Sequence, residues 1–195
     1  MATNRKDMPQ HYFTLEEYFA LEQASEARWE YWDGEIVCMS GGSQNHTVIG
    51  GNLHFRLRQQ VAGGPCRAFT AEMSIWTPTL PPYRYPDASV ACGELRFQPI
   101  HGVDALINPV LIVEVLSPTT ASRDFDAKFT AYKAIATFRE YLLIAQDEPR
   151  VIHFTRQADG EWAREEVTGL DATLALDSIG GRLSLGDIYE DVKFD

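Results

Sequence analysis

The sequence predicts an α/β domain in which helices flank a mixed β-sheet. Segments with helical and strand periodicity follow one another in the order helix, hairpin, helix, strands, helix, strand. One run, residues 109–118, is apolar on both faces of a strand and bounded by proline at each end, as is typical of an interior strand. Because the 195 residues contain no internal repeat and no linker, we expect a single domain over residues 1–195.

The first two elements follow from capping and turn signals. Thr14 and Glu17 have the spacing of a capping box, so a helix should run from about Leu15 to Ser25. Aromatic and β-branched residues flank the pair Asp33-Gly34, which is typical of a two-residue turn and predicts a hairpin from Arg28 to Met39.

A long amphipathic helix should follow the hairpin. Gly41-Gly42-Ser43 opens it and Gly63-Gly64-Pro65 ends it. Residues at helical spacing form its inner stripe, namely His46, Ile49, Gly50, Leu53, Leu57 and Val61.

Strands and one more helix should make up the rest of the chain. A helix is predicted from about Arg123 to Ala136, and short strands with a turn near Leu185–Asp191 should end the chain. The other predicted strands are Cys66–Trp76, Arg84–Cys92, Val110–Leu116, Arg139–Gln146 and Arg150–Phe154.

Composition is that of an ordinary globular protein, with 45% hydrophobic and 23% charged residues. No apolar run reaches the roughly 18 residues of a membrane span, and no hydrophobic segment follows residues 1–7, so we expect neither a membrane partner nor a signal peptide. The cysteines Cys38, Cys66 and Cys92 show neither disulfide nor zinc spacing. We therefore expect buried free thiols and a cytoplasmic protein.

The net charge of −11 argues against an extended nucleic-acid-binding surface, but it is unevenly distributed. Residues 1–55 carry three basic and eight acidic residues, net −5, and residues 140–195 carry five and thirteen, net −8. Residues 56–139 carry nine and seven, net +2. One interpretation is that the acidic flanks are ordinary solvated surface. The other is that residues 56–139, the one section that is not acidic, face a phosphate backbone.

Asp87 and Glu114 are the strongest candidates for a functional site, since each lies in an apolar run where an unpaired charge is unfavourable. If their strands are neighbours, the two carboxylates can converge to bind a divalent metal. Mg²⁺, or Mn²⁺ in its place, prefers oxygen ligands, and the carbonyl of Val115 would supply a third. The open positions would then accept a phosphate oxygen and a water.

Lys128 lies on the apolar face of its predicted helix, together with Phe125, Phe129 and Tyr132. A lysine in that position is either a structural counter-ion for Glu114 or Asp87, or a group that acts in a reaction.

These motifs together resemble the Uma-two family of restriction-endonuclease-like proteins, within the PD-(D/E)XK nuclease superfamily. The likeness extends from about Tyr12 to Tyr189. It rests on Pro86-Asp87, then Glu114-Val115-Leu116-Ser117-Pro118, then Lys128 with Tyr132. It implies a restriction-endonuclease-like core and a homodimer, and it places the superfamily's lysine at Lys128 because Leu116 occupies the usual position.

Two further residues, His46 and Glu35, resemble family positions. The superfamily often has another acid on its first core helix, and His46 would replace it by orienting a water or a phosphate, unless it is a hydrogen-bonded core residue. Glu35 follows the hairpin turn and is either a site residue or solvent-exposed.

We therefore expect a Mg²⁺-dependent DNA endonuclease in which Asp87, Glu114 and Val115 bind metal. Lys128 would orient the attacking water and stabilise transition-state charge, and His46 and Glu35 would assist. Two alternatives stay open. The acidic surface favours a catalytically inactive nuclease-fold binding or scaffold module, and the paired acids alone would also suit a glycoside hydrolase.

Overall fold

The structure of this chain is a computed structural model that describes residues 11–39, 41–117, 121 and 123–194. It contains two compact units, residues 1–41 and 42–195, which are described separately. The signal-peptide prediction depends on residues 1–7, and one predicted strand boundary depends on Pro118. These residues lie outside the described part of the chain. The single domain over 1–195 stays a prediction.

The N-terminal unit consists of the predicted helix and hairpin. Helix α1 spans Leu15–Ala24, and its capping box is present: the Thr14 hydroxyl accepts a hydrogen bond from the Glu17 amide at 3.2 Å. Strands β1 (Trp29–Trp32) and β2 (Glu35–Cys38) pair antiparallel. The turn residue Gly34 has a φ of 95°, a conformation that glycine adopts without strain.

The second unit is built on a six-stranded mixed sheet. Its helices are α2 (Gln44–Gln60), a π-helix (Arg123–Lys128) that continues into α3 (Phe129–Lys133), and α4 (Leu185–Ile188). Its strands are β3 (Cys66–Thr70), β4 (Ile75–Trp76), β5 (Tyr83–Arg84), β6 (Ala88–Cys92), β7 (Phe97–Ile100), β8 (Val103–Leu106), β9 (Pro109–Val115), β10 (Glu140–Ile144), β11 (Arg150–Arg156), β12 (Trp162–Thr168), β13 (Thr173–Leu176) and β14 (Gly181–Ser184).

The order of strands in the main sheet is β12-β11-β10-β9-β6-β3. Only the β9–β10 pair is parallel; the other pairs in this sheet are antiparallel. The strand that follows Asp87 therefore lies directly beside the strand that carries Glu114, as the sequence predicted. Strands β4, β5, β7 and β8 form a separate small sheet, and β13 pairs with β14.

Hydrophobic cores cover both faces of the main sheet, because alternate residues of a strand point to opposite sides. On one face, Ile49, Leu53 and Leu57 of α2 belong to the same cluster as Val113 of β9. On the other face, Tyr132 of α3 belongs to the cluster that contains Ile112. Glu114 follows the alternation of Ile112, so it points toward the face that carries α3.

Several predicted boundaries differ from the observed ones. The predicted strand Cys66–Trp76 is two strands, because a turn at Met73, whose amide bonds the Thr70 carbonyl at 3.1 Å, interrupts it. The β7–β8 hairpin was not predicted, although His101-Gly102 at its turn has positive φ at both positions and is a hairpin signal. None of the described helices is long and apolar enough to cross a membrane.

The prediction of three buried free thiols is wrong. Cys66 and Cys92 lie directly opposite each other on β3 and β6 and form a disulfide bond, whereas Cys38 is free and exposed. A sequence separation of 26 residues does not reveal such a pair, because only the register of the two strands brings the sulfur atoms together.

Candidate active site

The register of β6 and β9 brings Asp87 and Glu114 to the same end of the sheet. Ala88 lies opposite Val113 in this antiparallel pair. The next step along the ladder places Asp87, just before β6, opposite Glu114, the penultimate residue of β9. Both carboxylates thus lie near the C-terminal end of β9.

Glu114 is almost fully buried, and hydrogen bonds reach both of its carboxylate oxygens. The Lys128 ammonium donates to Oε2 at 3.1 Å, and the Tyr132 hydroxyl donates to Oε1 at 3.1 Å. Bonds from a cation and a hydroxyl stabilise the ionised carboxylate in a buried place. They also fix its orientation.

Lys128 joins two buried carboxylates. Its side chain is 2% exposed, and its Nζ lies 3.1 Å from Glu114 Oε2 and 3.2 Å from Asp124 Oδ1. Sequence analysis predicted the inward position of Lys128 but missed Asp124. The available signal was spacing: Asp124, Lys128 and Tyr132 are four residues apart and therefore share one face of a helix.

Tyr141 supports this cluster from the neighbouring strand β10. Its hydroxyl donates to the backbone carbonyl of Asp124 at 2.9 Å, and its ring stacks on Phe129 at 5.1 Å between ring centroids. Burial, with the negative charge of Glu114 adding to it, raises the pKa of Tyr141 well above its ordinary value. The hydroxyl therefore stays protonated and remains a donor.

Asp87 is the more accessible carboxylate, with 19% of its side chain exposed. Its Oδ2 accepts a hydrogen bond from the backbone amide of Val115 at 2.6 Å, and its Oδ1 lies 3.4 Å from His46 Nε2. Val115 thus holds Asp87 through its N–H. The role of its carbonyl as a metal ligand stays a prediction.

His46 is positioned by the start of α2. Its backbone amide donates to the N-cap hydroxyl of Ser43 at 3.0 Å, and its ring reaches Asp87 from the first turn. The hydrogen bond with Asp87, with the charges of Asp87 and Asp124 adding to it, raises the pKa of His46. The charged imidazolium is therefore favoured beside these acids, which is consistent with a residue that orients an anion or a water.

Glu35 belongs to the N-terminal unit, where it opens β2 opposite Trp32. Its role in the site stays a prediction. The described part of unit 42–195 thus contains five of the six predicted site residues. His46 contacts Asp87, the Val115 amide also contacts Asp87, and Lys128 contacts Glu114.

The oxygen ligands of this cluster fit a hard divalent cation. Asp87 and Glu114 supply carboxylate oxygens, the ligand type that Mg²⁺ prefers. An ionised carboxylate has about four acceptor positions, so the bonds from Lys128 and Tyr132 are compatible with metal binding by Glu114. Among the described residues, no three or more His, Cys, Asp or Glu side chains are grouped so that they could hold a metal ion by themselves. Mg²⁺ commonly keeps several waters, so such a group is not required.

Comparison with known proteins identifies relatives that match most of the chain. Residues 15–186 match the profile of the Uma2 family, described as a putative restriction endonuclease. Two uncharacterized proteins of Synechocystis sp. are similar. The protein slr1290 is 31% identical, with 92% of each chain covered. The protein sll1609 is 34% identical, covering 83% of this chain and 90% of its own.

A solved structure shares the fold. A crystal structure of a putative nuclease belonging to DUF820 from Anabaena variabilis superposes with a TM-score of 0.71 at 22% identity, covering 91% of this chain and 97% of the other. This likeness confirms the predicted restriction-endonuclease-like fold.

Proposed function

We propose that this chain, which belongs to the Uma2 family, is a divalent-metal-dependent endonuclease that hydrolyses phosphodiester bonds in DNA. The observation that carries the proposal is the buried Lys128 held against Glu114, beside the Asp87–His46 pair at the end of the same two strands. A water-excluded ammonium next to oriented carboxylates suits phosphoryl transfer, because it can stabilise the negative charge that develops on the transferred group.

Each residue has a separate task in this proposal. Asp87 and Glu114, with the carbonyl of Val115, would hold Mg²⁺ or Mn²⁺, which when bound neutralises phosphate charge and lowers the pKa of a water. Lys128 orients the attacking water and stabilises the charge that develops on the phosphate. Tyr132 holds Glu114 in its orientation by a hydrogen bond.

His46 acts on the accessible side of the site. Its Nε2 lies 3.4 Å from Asp87 Oδ1, and 27% of the side chain is exposed. From there it can donate a hydrogen bond to a phosphate oxygen or to a water. Glu35 stays a proposed assisting residue.

DNA as substrate, a homodimer and a cytoplasmic location are finer parts of the proposal. The family description supports a nuclease substrate, and the net charge of +2 in residues 56–139 supports a polyanion at this part of the chain. The prediction of a cytoplasmic location rested on three free thiols. Two of these cysteines, Cys66 and Cys92, form a disulfide bond, so that prediction now rests on Cys38 alone.

A catalytically inactive scaffold is the second candidate. The net charge of −11 favours it, and the Lys128 ion pairs with Glu114 and Asp124 would then be structural. A glycoside hydrolase is less well supported. Glu114 accepts bonds from an ammonium and a hydroxyl, which favour its ionised form over the protonated form that a general acid needs.

The direct test is nicking of supercoiled plasmid with and without Mg²⁺ by the wild type, by Asp87→Ala and by a matched control, Asp171→Ala, which changes an exposed acid. We expect nicking that requires metal, persists in the control and is lost in Asp87→Ala. A folded wild type that never nicks DNA at any Mg²⁺ or Mn²⁺ concentration would support the scaffold instead.

A further inference from the structure

A cavity of about 860 Å³ opens next to the candidate active site, at the carboxyl ends of β9 and β10. Leu116 and Ser117, which directly follow β9, form one wall, and Ala145 and Gln146, which follow β10, form another. Ser117 is three residues beyond Glu114, so the cavity begins within about 10 Å of Glu114 along the chain. Its volume is that of a typical small-ligand site.

The C-terminal segment also lines the cavity, through Lys193 and Phe194, and specific hydrogen bonds hold it in place. The Asn45 amide donates to the Lys193 carbonyl at 2.9 Å and to the Gln146 carbonyl at 3.1 Å. Asn52, on the same helix, donates to the Glu190 carbonyl at 2.8 Å. The side chains of this segment are therefore presented to the cavity by bonds from α2.

The lining combines an aromatic surface with hydrogen-bonding and cationic groups. Phe194, Leu116 and Ala145 supply apolar surface, and the Gln146 amide lies among them, joined to the Ser43 hydroxyl by a hydrogen bond. An aromatic face with a neighbouring amide is how proteins contact an unstacked nucleobase.

The cavity carries cationic side chains in a chain whose net charge is −11. Arg150 and Lys193 line it together with one acid, Asp147. Arg150 donates to Glu148 through Nε at 2.6 Å, and its guanidinium carries further N–H groups. The first turn of α2, which also borders the cavity, carries no acidic side chain.

We infer that this cavity binds one unstacked nucleotide of the DNA strand that is cut, with its base against Phe194 and its phosphate near Lys193 and Arg150. The inference rests on the proposed function and adds a substrate class to it. A base inside a protein cavity cannot remain stacked in a duplex. The preferred substrate is therefore single-stranded DNA, or a duplex with an unpaired nucleotide at the cut.

The test uses end-labelled single-stranded 20-mers, each with one abasic nucleotide at a different position, and the unmodified oligonucleotide. The protein cuts each of them in the presence of Mg²⁺, and the products are resolved on a denaturing gel. For the wild type, cutting should fall about 10-fold at one bond at a constant offset from the abasic position, because base stacking is lost there. Phe194→Ala should lower cutting of the unmodified strand by a similar factor and remove the effect of the abasic nucleotide. The matched control is Phe55→Ala, which removes an aromatic ring that is 54% exposed on α2 and does not line the cavity.

Lys193→Gln gives a second reading that does not depend on Phe194, whose ring also contacts Tyr189. Loss of one phosphate contact should make the dependence of log(kcat/KM) on log salt shallower by about 0.7. Lys133→Gln, which removes an exposed lysine outside the cavity, should leave that slope unchanged.

The outcomes separate this inference from the proposed function. The inference alone is overturned if the wild type cuts DNA but abasic nucleotides do not change its cutting pattern, and if the Phe194→Ala and Lys193→Gln variants behave like their controls. Faster cutting of fully paired duplex than of single strands also overturns it. A wild type that cuts no DNA overturns both.

Discussion

At the scale of residues, the account depends on how Lys128 is held. Its ammonium is buried and lies within 3.2 Å of both Glu114 and Asp124. A buried ion pair of this kind is weak evidence for stability, since desolvation offsets most of the attraction. The arrangement is better explained if the charge is needed for the reaction.

Replacing Lys128 with methionine separates these two roles. If Lys128 stabilises the transition state, the single-turnover rate should fall about 10²-fold or more while metal affinity changes little. If it is only a counter-ion, two buried carboxylates lose their partner, and unfolding free energy should fall by about 3–5 kcal/mol. Added Mg²⁺ would then restore stability by binding the folded state.

Single-turnover cleavage and thermal melts with and without Mg²⁺ measure both quantities. Lys133→Met, an exposed lysine five residues along the chain, is the matched control and should change neither. A Lys128→Met variant that cuts at the wild-type rate would remove Lys128 from the mechanism.

Glu114→Gln tests the metal ligand. The amide has nearly the shape of the carboxylate but lacks its charge, so binding of Mn²⁺ should be lost. Lys128 keeps Asp124 as a partner, so the variant should still fold. Calorimetric titration with Mn²⁺ measures affinity, and Asp126→Asn, an exposed acid of the π-helix, is the control. Wild-type Mn²⁺ affinity in Glu114→Gln would exclude Glu114 as a ligand.

At the scale of elements, the sequence was most informative about the strands that carry the acids. The apolar run around Glu114 predicted an interior strand, and β9 lies between β6 and β10. The inward face of the helix after it was also predicted, from the spacing of Lys128 and Tyr132. Hydrophobic periodicity reports which face of an element is buried, and that was enough to bring Lys128 to Glu114.

Features that depend on register or on helix type were not predicted. The disulfide between Cys66 and Cys92 exists because β3 and β6 pair in one register. The segment Arg123–Lys128 forms a π-helix, and average periodicity does not distinguish this from an α-helix. Asp124 was missed for a different reason: the predicted helix begins at about Arg123, and its apolar face was taken from Phe125 onward.

His153 on β11 makes a pH-dependent connection among three strands. Its Nδ1 lies 2.9 Å from Glu165 of β12, and its Nε2 lies 3.5 Å from Glu140 of β10. Burial alone would lower its pKa, but the contacts with the carboxylates of Glu140 and Glu165 outweigh burial and raise it. Because the pKa is higher in the folded state, this stabilisation is fully present below the unfolded value of about 6.5 and is lost as pH rises through the folded value.

Urea unfolding of the wild type and of His153→Gln between pH 5.5 and 9 tests this. The stability of the wild type relative to the variant should decline as pH rises above about 6.5 and then level off. A difference that does not change with pH would show that His153 does not gain a proton on folding.

At the scale of the whole molecule, the net charge and the proposed substrate oppose each other. A chain with a charge of −11 repels DNA over most of its surface, so attraction must be local. In the two proposals, that attraction comes from Lys128 at the end of β9 and from Arg150 and Lys193 in the adjoining cavity. Family membership could be predicted from three motifs that follow one another along the chain, around Asp87, Glu114 and Lys128. These motifs contain the predicted site residues, and the fold determines which of their residues are buried.

The central claim is that Asp87 and Glu114 hold one divalent cation beside Lys128. Anomalous diffraction from crystals grown with Mn²⁺ tests it most directly, since the ion is located without any assumption about activity. We predict a single strong anomalous peak at the end of β9, within ligand distance of oxygens of both Asp87 and Glu114, and its loss in crystals of Glu114→Gln. Crystals at saturating Mn²⁺ with no peak between these two carboxylates would contradict the account.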